Sequence, residues 1–302
     1  MSTAVLELPI PSNSLDLPMP KRPLGPFGWD ASVLTMGGVK WDTDLPDKES
    51  IELLHRAFEL GVNTFDTAHI YGNGESERKL GLAIKDFRDK IWLNTKVMDR
   101  TYDGFMRLFD LSMKRIQQDY VDLLFVHSLD DQQDFDRIFQ PNSVLKAVEE
   151  IKASGRAKHI GVSGHWVKDL QAKIIQDYPF EAVLSPVGLF NAAYKYDFVE
   201  TVLPIARKQN MAVFGMKVFG AGRVKHTASI RPYMQFALHQ PVDSLIIGFD
   251  NIPQLEGAVS LIKSNPPALT LEEQTALYPE AIAVTREWDK GEFDWISGYP
   301  QP

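Results

Sequence analysis

The chain has no cysteine among its 302 residues. Disulfides, thiolate nucleophiles and cysteine-ligated metals are therefore excluded. Basic clusters are missing too, and the net charge is −8. Neither nucleic acid nor an anionic membrane is an expected partner of such a surface. No run approaches the ~18 apolar residues that a membrane span requires. Met1–Pro11 lacks the basic start and long apolar stretch of a secretory signal, so the expected location is cytoplasmic. Histidines paired at ligand spacing are absent as well, and no metal site is expected.

What is present is a regular alternation. At 44% hydrophobic, the chain can bury a large core, and single α/β barrels typically run to about 250 residues. Residues 1–20 carry Pro9, Pro11, Pro18 and Pro20 and read as an extended N-terminal arm, because proline removes donors and blocks helix. Lys21–Gly38 reads as two short strands around Gly25–Trp29, followed by the apolar run Val33–Met36. Strands are then expected at Val62–Phe65, Ile91–Lys96 and Val121–His127, with helices over Ile51–Leu60, Glu75–Ile84, Asp103–Gln117 and Val144–Ala153. The second half adds strands at His159–Val162, Ala182–Ser185, Met211–Met216 and Ser244–Ile247. Its helices fall near Lys168–Gln176, Phe198–Lys208, Ile230–Leu238 and Pro253–Ile262.

Counted from Val33, this makes eight strand–helix units. Such units imply a parallel sheet, and eight of them favour closure into a (β/α)8 TIM barrel. An open doubly wound sheet would want a G-x-G-x-x-G turn after its first strand, where Met36-Gly37-Gly38-Val39 stands instead. Residues 269–302 form a C-terminal extension, with a helical stretch Leu271–Trp288 and a tail holding Phe293, Trp295 and Tyr299. No second core is visible, so residues 1–302 read as one domain.

In a parallel barrel the strand C-termini share one face, and active sites are built there. Asp66, Lys96 and His127 fall at the ends of the second, third and fourth strands, and Tyr71 lies in the loop Thr67–Gly74. A lone aspartate, tyrosine or lysine at such places is ordinary loop chemistry; together they form a group that can move a proton. Lys96, held by Asp66, would stay charged and lower the Tyr71 pKa, and Tyr71 could then exchange a proton with a carbonyl or alcohol. His127 would orient the carbonyl or assist the proton transfer. A competing reading makes Lys96 a Schiff-base nucleophile of a lyase or aldolase barrel.

At these residues the chain resembles the aldo-keto reductase superfamily. The resemblance is carried by Gly61-Val62-Asn63-Thr64-Phe65-Asp66-Thr67-Ala68-His69-Ile70-Tyr71-Gly72, by Trp92-Leu93-Asn94-Thr95-Lys96 and by Tyr120-Val121-Asp122-Leu123-Leu124-Phe125-Val126-His127. It spans about Lys21 to Ile262. It implies a β-hairpin closing the barrel floor, a C-terminal tail near the mouth and a nicotinamide cofactor across that mouth. It also implies hydride transfer to or from an aldehyde, ketone or sugar carbonyl, with Tyr71 as general acid assisted by Lys96, Asp66 and His127. Some relatives serve as subunits, so a cofactor-sensing barrel with little turnover stands as the alternative.

Carried over by position, the resemblance assigns Gly38, Ser163 and Ser185 to the cofactor. Met216, Lys217, Gly220, Gly222 and Arg223 correspond to the loop over the pyrophosphate, and Gly248, Asp250, Gln254 and Glu256 to the adenosine end. Departures from the family pattern are Gly164 for asparagine, Leu184 or Ser185 for glutamine, Phe190 for a stacking tyrosine, and the added Lys217. No arginine or lysine lies between Gly248 and Ile262, and Asp250 there suits NAD(H). Family habit favours NADP(H), with Lys217, Arg223 and Lys225 in reach of a phosphate; the balance falls to NADP(H). Trp41, His165 and Trp166 are the expected substrate contacts, while Trp92 reads as packing. Met98-Asp99-Arg100 reads either as a polar substrate contact or as a surface loop with an ion pair.

Overall fold

The eight parallel strands close on themselves in the computed structural model, which describes residues 14–42, 45–193, 197–220, 222 and 229–286. A short antiparallel pair comes first, β1 (Lys21–Pro23) with β2 (Asp30–Ser32). The barrel strands are β3 (Leu34–Gly37), β4 (Thr64–Asp66), β5 (Trp92–Val97), β6 (Val121–Val126), β7 (Ala157–Ser163), β8 (Ala182–Pro186), β9 (Ala212–Met216) and β10 (Ser244–Ile247). They pair in chain order, and β10 closes the ring on β3 with Leu245 opposite Leu34. The (β/α)8 barrel is thus the observed architecture.

Side chains alternate across the strands, as a pleated sheet requires. Leu123 and Phe125 of β6, Leu184 of β8 and Phe214 of β9 gather inside the barrel. Leu124, Val126, Val183 and Val213, one residue out of step, join the larger layer against the helices. The hairpin adds Leu24 to the inner group, with Phe27 and Trp29 packed against it, and Phe27 stacks on Trp92 at 5.4 Å. It closes the barrel floor, and Trp92 is packing.

Eleven helices are described: α1 (Asp47–Glu59), α2 (Glu75–Ala83), α3 (Tyr102–Ile116), α4 (Gln132–Ile138), α5 (Val144–Ala153), α6 (Lys168–Asp177), α7 (Leu189–Ala192), α8 (Leu203–Lys208), α9 (Arg231–Leu238), α10 (Ile252–Lys263) and α11 (Leu271–Arg286). Side-chain oxygens of Thr101, Asp131 and Asn251 cap α3, α4 and α10 by accepting a backbone N–H in the first turn. Three differences from the periodicity stand out. Helix α1 starts at Asp47 rather than Ile51, and α8 starts at Leu203 rather than Phe198. Helix α4 was invisible in the apolar pattern because only Phe135 and Ile138 of its residues are buried.

Helix α11 lies against α7 and α9, where Ala281 and Val284 pack with Leu189, Phe190, Tyr233 and Phe236. The Thr285 hydroxyl donates to the Phe190 carbonyl at 2.7 Å, tying the C-terminal extension to the loop after β8. The arm's described end, Ser14–Asp16, is a 3-10 turn against α10, where the Lys263 ammonium donates to the Leu15 carbonyl at 2.7 Å. Residues 1–13 of the arm and the tail residues Trp288, Phe293, Trp295 and Tyr299 lie outside the described residues. No described helix is long and apolar enough to cross a membrane.

Candidate active site

Asp66 ends β4, Lys96 sits in β5, and His127 directly follows β6. The parallel register sets Asp66 beside Asn94 and Lys96 beside Phe125, so these side chains converge at the mouth. The Lys96 ammonium donates to the Asp66 carboxylate, to the Thr67 carbonyl at 2.9 Å and to the Tyr71 hydroxyl at 3.5 Å. Only 1% of the Lys96 side chain and 2% of the Asp66 side chain are exposed. The His127 ring meets the Tyr71 ring edge-on, with centroids 5.9 Å apart.

Tyr71 reaches the group through a tight turn. Gly72, Asn73 and Gly74 all take left-handed backbone angles, with φ of 55°, 58° and 92°. Glycine is favoured at 74 because φ 92° is a backbone angle that other side chains rarely adopt. Beneath the turn, the Thr95 hydroxyl donates to buried Glu77 at 2.7 Å, and Arg115 pairs with the same carboxylate at 3.5 Å.

Burial governs the protonation states. It pushes the Tyr71 phenol well above its ordinary range, and the Asp66 charge pushes the same way. The lowered phenol expected from the Lys96 field is therefore reversed: loss of solvation around a fully buried hydroxyl outweighs a neighbouring cation. Burial also raises Asp66 and lowers Lys96, while their mutual attraction opposes both shifts. His127 and His165 are driven far below the ordinary imidazole value, first by burial and then by neighbouring cations. His69, in the same loop, falls to about 4 for the same leading reason.

The other candidate residues divide. His165 and Trp166 stand at the mouth; the His165 ring centroid is 6.0 Å from that of His127, and the Lys217 ammonium lies 3.7 Å from the Trp166 ring centroid. Met216 is buried at the end of β9 and packs inward with Phe214. Gly220 and Gly222 hold left-handed angles in the loop that follows. Arg223 and Lys225 lie outside the described residues.

Other expected contacts are engaged inside the protein. Trp41, expected as a pocket wall, is fully buried, and its indole N–H donates to the Ser76 carbonyl at 3.3 Å. Gly38 is packed so closely that a Cβ would lie 2.6 Å from the Ser76 hydroxyl. The Ser163 hydroxyl accepts the Ser128 N–H at 2.9 Å, and the Ser185 hydroxyl donates to the Gln171 amide oxygen at 2.7 Å. Phe190 stacks on Tyr233 at 4.4 Å, and a Cβ on Gly220 would lie 3.0 Å from its ring. Glu256 pairs with Arg56 at 2.7 Å, Asp250 with Lys40 at 3.1 Å, and the Gln254 side chain accepts the Asp250 N–H at 3.0 Å. A Cβ on Gly248 would meet the Lys40 side chain at 2.8 Å.

Two residues at the site, Asp130 and Gln171, escaped the sequence reading, and a third, Arg100, was named without its role. Arg100 donates to the carbonyls of His127 and Ser128 at 2.8 and 2.7 Å, and Asp134 holds its guanidinium at 2.8 Å. Of the two readings of Met98–Arg100, the ion pair is present, but it is buried and grips the chain that carries His127. Asp130 accepts the backbone N–H groups of His165 and Trp166 at 2.6 and 2.8 Å. Gln171 donates to the Leu184 carbonyl at 2.9 Å and lies 3.1 Å from where a Gly164 Cβ would stand. It fills the space that a side chain at position 164 would otherwise take. A spacing signal exists for strand ends, but not for bonds from a side chain to a distant backbone.

The fold agrees with comparisons to known proteins. The aldo/keto reductase family profile matches residues 33–237. The aldo-keto reductase AMT2 of Alternaria alternata is 29% identical over 190 residues, 49% of this chain and 50% of that protein. The aldo-keto reductase YhdN of Bacillus subtilis is 30% identical over 185 residues, 57% of this chain and 52% of that protein. The chain spans about half the length of these curated relatives. In fold, it is similar to the holo form of an aldo-keto reductase from Bacillus halodurans, with a TM-score of 0.68 at 21% identity, over 87% of this chain and 96% of that one. With its barrel closed and its family match running from β3 into α9, the chain belongs to the aldo/keto reductase family.

Proposed function

We propose that this barrel transfers hydride between a nicotinamide cofactor and an aldehyde, ketone or sugar carbonyl, with Tyr71 as the general acid. Enzymes of the family are oxidoreductases that use NAD(P)H. One observation carries the reading: a buried phenol sits 3.5 Å from an ammonium that is itself bonded to a buried carboxylate.

A nicotinamide bound at the mouth supplies the hydride to the carbonyl carbon. Tyr71, kept protonated by burial, gives its proton to the carbonyl oxygen. Lys96 stabilises the phenolate left behind, and Asp66 holds Lys96 in place. Neutral His127 donates a ring N–H toward the same oxygen and sets its direction. In the oxidative direction the same groups receive the alcohol proton.

The β9–β10 side suits an anionic dinucleotide. Gly220 and Gly222 hold left-handed backbone angles in the loop after β9, the segment that the resemblance sets over the pyrophosphate. Lys40, beside Asp250, brings the cation that residues 248–262 lack. We therefore favour NADP(H), with NAD(H) as the alternative. The test is a steady-state screen of aldehydes, ketones and sugars with NADPH and NADH, followed by loss of reduced-nicotinamide absorbance. Turnover with NADPH is expected; saturable cofactor binding without turnover of any substrate would leave a cofactor-sensing barrel instead.

A further inference from the structure

The turn that carries Tyr71 is held by a side chain that lies outside the proton-transfer group. Gly72, Asn73 and Gly74 follow Tyr71 in left-handed backbone angles. Single residues visit that region, but a run of three is kept only where its surroundings impose it. The turn's own bonds are local: the Tyr71 N–H donates to the Ala68 carbonyl and the Asn73 N–H to the Ile70 carbonyl, both at 3.1 Å. Two ties to the rest of the protein fall on His69. Its N–H donates to the Lys96 carbonyl at 3.0 Å, and its carbonyl accepts from the Arg115 guanidinium at 3.2 Å.

Arg115 stands in the last turn of α3. Its guanidinium also lies against Gly74, where a Cβ would stand 2.1 Å from the guanidinium carbon. One side chain thus meets the backbone on both sides of Tyr71. Glu77 sets its place. That carboxylate, fully buried in α2, pairs with Arg115 at 3.5 Å and accepts the hydroxyl of Thr95, the residue before Lys96, at 2.7 Å. Helices α2 and α3 come close enough for the pair because Gly81 has no side chain; a Cβ there would lie 2.3 Å from the Ile116 carbonyl oxygen. Burial raises the Glu77 carboxyl, and the Thr95 hydroxyl and the Arg115 charge oppose that rise.

We propose that Arg115 is a positioning residue: anchored on Glu77, it clamps the turn on both sides of Tyr71 and keeps the phenol in place against Lys96. The proposal rests on the carbonyl-reductase reading above and adds to it a group that acts through Tyr71 rather than on the substrate. The Tyr71 hydroxyl lies 3.5 Å from the Lys96 ammonium, the long limit of a hydrogen bond, so a small outward shift of the turn opens it. Lys96 then no longer stabilises the phenolate that proton transfer leaves behind.

Arg115→Met alone would leave Glu77 buried without its cation, so the test uses the double variant Arg115→Met/Glu77→Gln, which removes both charges. With saturating NADPH and the best carbonyl substrate, kcat should fall by about ten-fold or more with KM nearly constant, because the acid is displaced while binding is untouched. Arg115→Lys, which keeps a donor for the His69 carbonyl, should recover most of that loss. Arg156→Met is the control: it removes an ion pair with Asp110 on the same helix and should leave kcat unchanged. A double variant as fast as the wild type overturns the proposal. So does a loss in Arg156→Met as large as in the double variant, or no recovery in Arg115→Lys.

A second readout needs no turnover. Amide hydrogen exchange is followed by mass spectrometry in residues 67–76, with the barrel strand β6 as the internal reference. Exchange in residues 67–76 should be faster in the double variant than in the wild type, while exchange in β6 stays the same. That result supports the clamp even if no carbonyl is reduced, in which case only the catalytic reading fails. Unchanged exchange in residues 67–76 overturns the proposal. An equal rise in β6 assigns Arg115 to general stability and overturns it as well.

Discussion

The two halves of the barrel mouth are built on different principles. From β4 to β6, charged and polar side chains are buried and bonded to one another, and the whole group is held by backbone at strand ends. From β7 to β10, the side chains first assigned to a cofactor are engaged inside the protein, as Ser163 and Ser185 are, or joined in ion pairs, as Asp250 and Glu256 are. The first half is organised for chemistry before any ligand arrives. In the second half, cations stand beside the loops that follow the strands, Lys40 on Asp250 and Lys217 over Trp166. On the proposed reading, proton transfer would depend on this pre-bonded cluster, whereas cofactor binding would have to use groups now engaged within the protein.

Breaking the first half should cost most. Asp66→Asn leaves the Lys96 ammonium buried without its carboxylate, and should lower stability by about 3–5 kcal/mol in urea unfolding. A loss near zero would mean that the pair contributes no more than an exposed one. Arg100→Met should act less on stability and more on rate, because it frees the backbone that positions His127. We expect kcat to fall by about ten-fold or more with KM nearly constant, since small misplacements at a reacting centre are costly. If KM rose and kcat held, Arg100 would be a substrate contact rather than a positioning residue. Lys40→Ala probes the second half and should be mildest. Its ion pair with Asp250 is half-exposed, so stability should barely change, while the NADPH dissociation constant rises by about 2–5-fold and that of NADH does not. Equal changes for both cofactors would remove Lys40 from phosphate recognition.

The same division explains what was legible in the sequence. Asp66, Lys96 and His127 could be found because a parallel barrel brings successive strand ends to one face, and apolar runs mark those ends. The hairpin under the floor and the eight-unit alternation were readable for the same reason. Trp41 was misread because position alone cannot say which side of the loop after β3 an indole faces; here it turns inward to Ser76. Helix α4 was hidden because only Phe135 and Ile138 of its residues are buried, and the role of Arg100 because its partners are backbone groups far along the chain. The direction of the Tyr71 shift was misjudged because a neighbouring charge is visible in sequence, whereas depth of burial is not.

The central claim is that Tyr71 delivers the proton that accompanies hydride transfer. Single-turnover mixing of NADPH-loaded protein with its best aldehyde, ketone or sugar, in wild type and Tyr71→Phe, tests it most directly. The account predicts similar NADPH affinity in both proteins, with hydride transfer slower by about 10²–10⁴-fold in the variant. Equal transfer rates in the two proteins would contradict it.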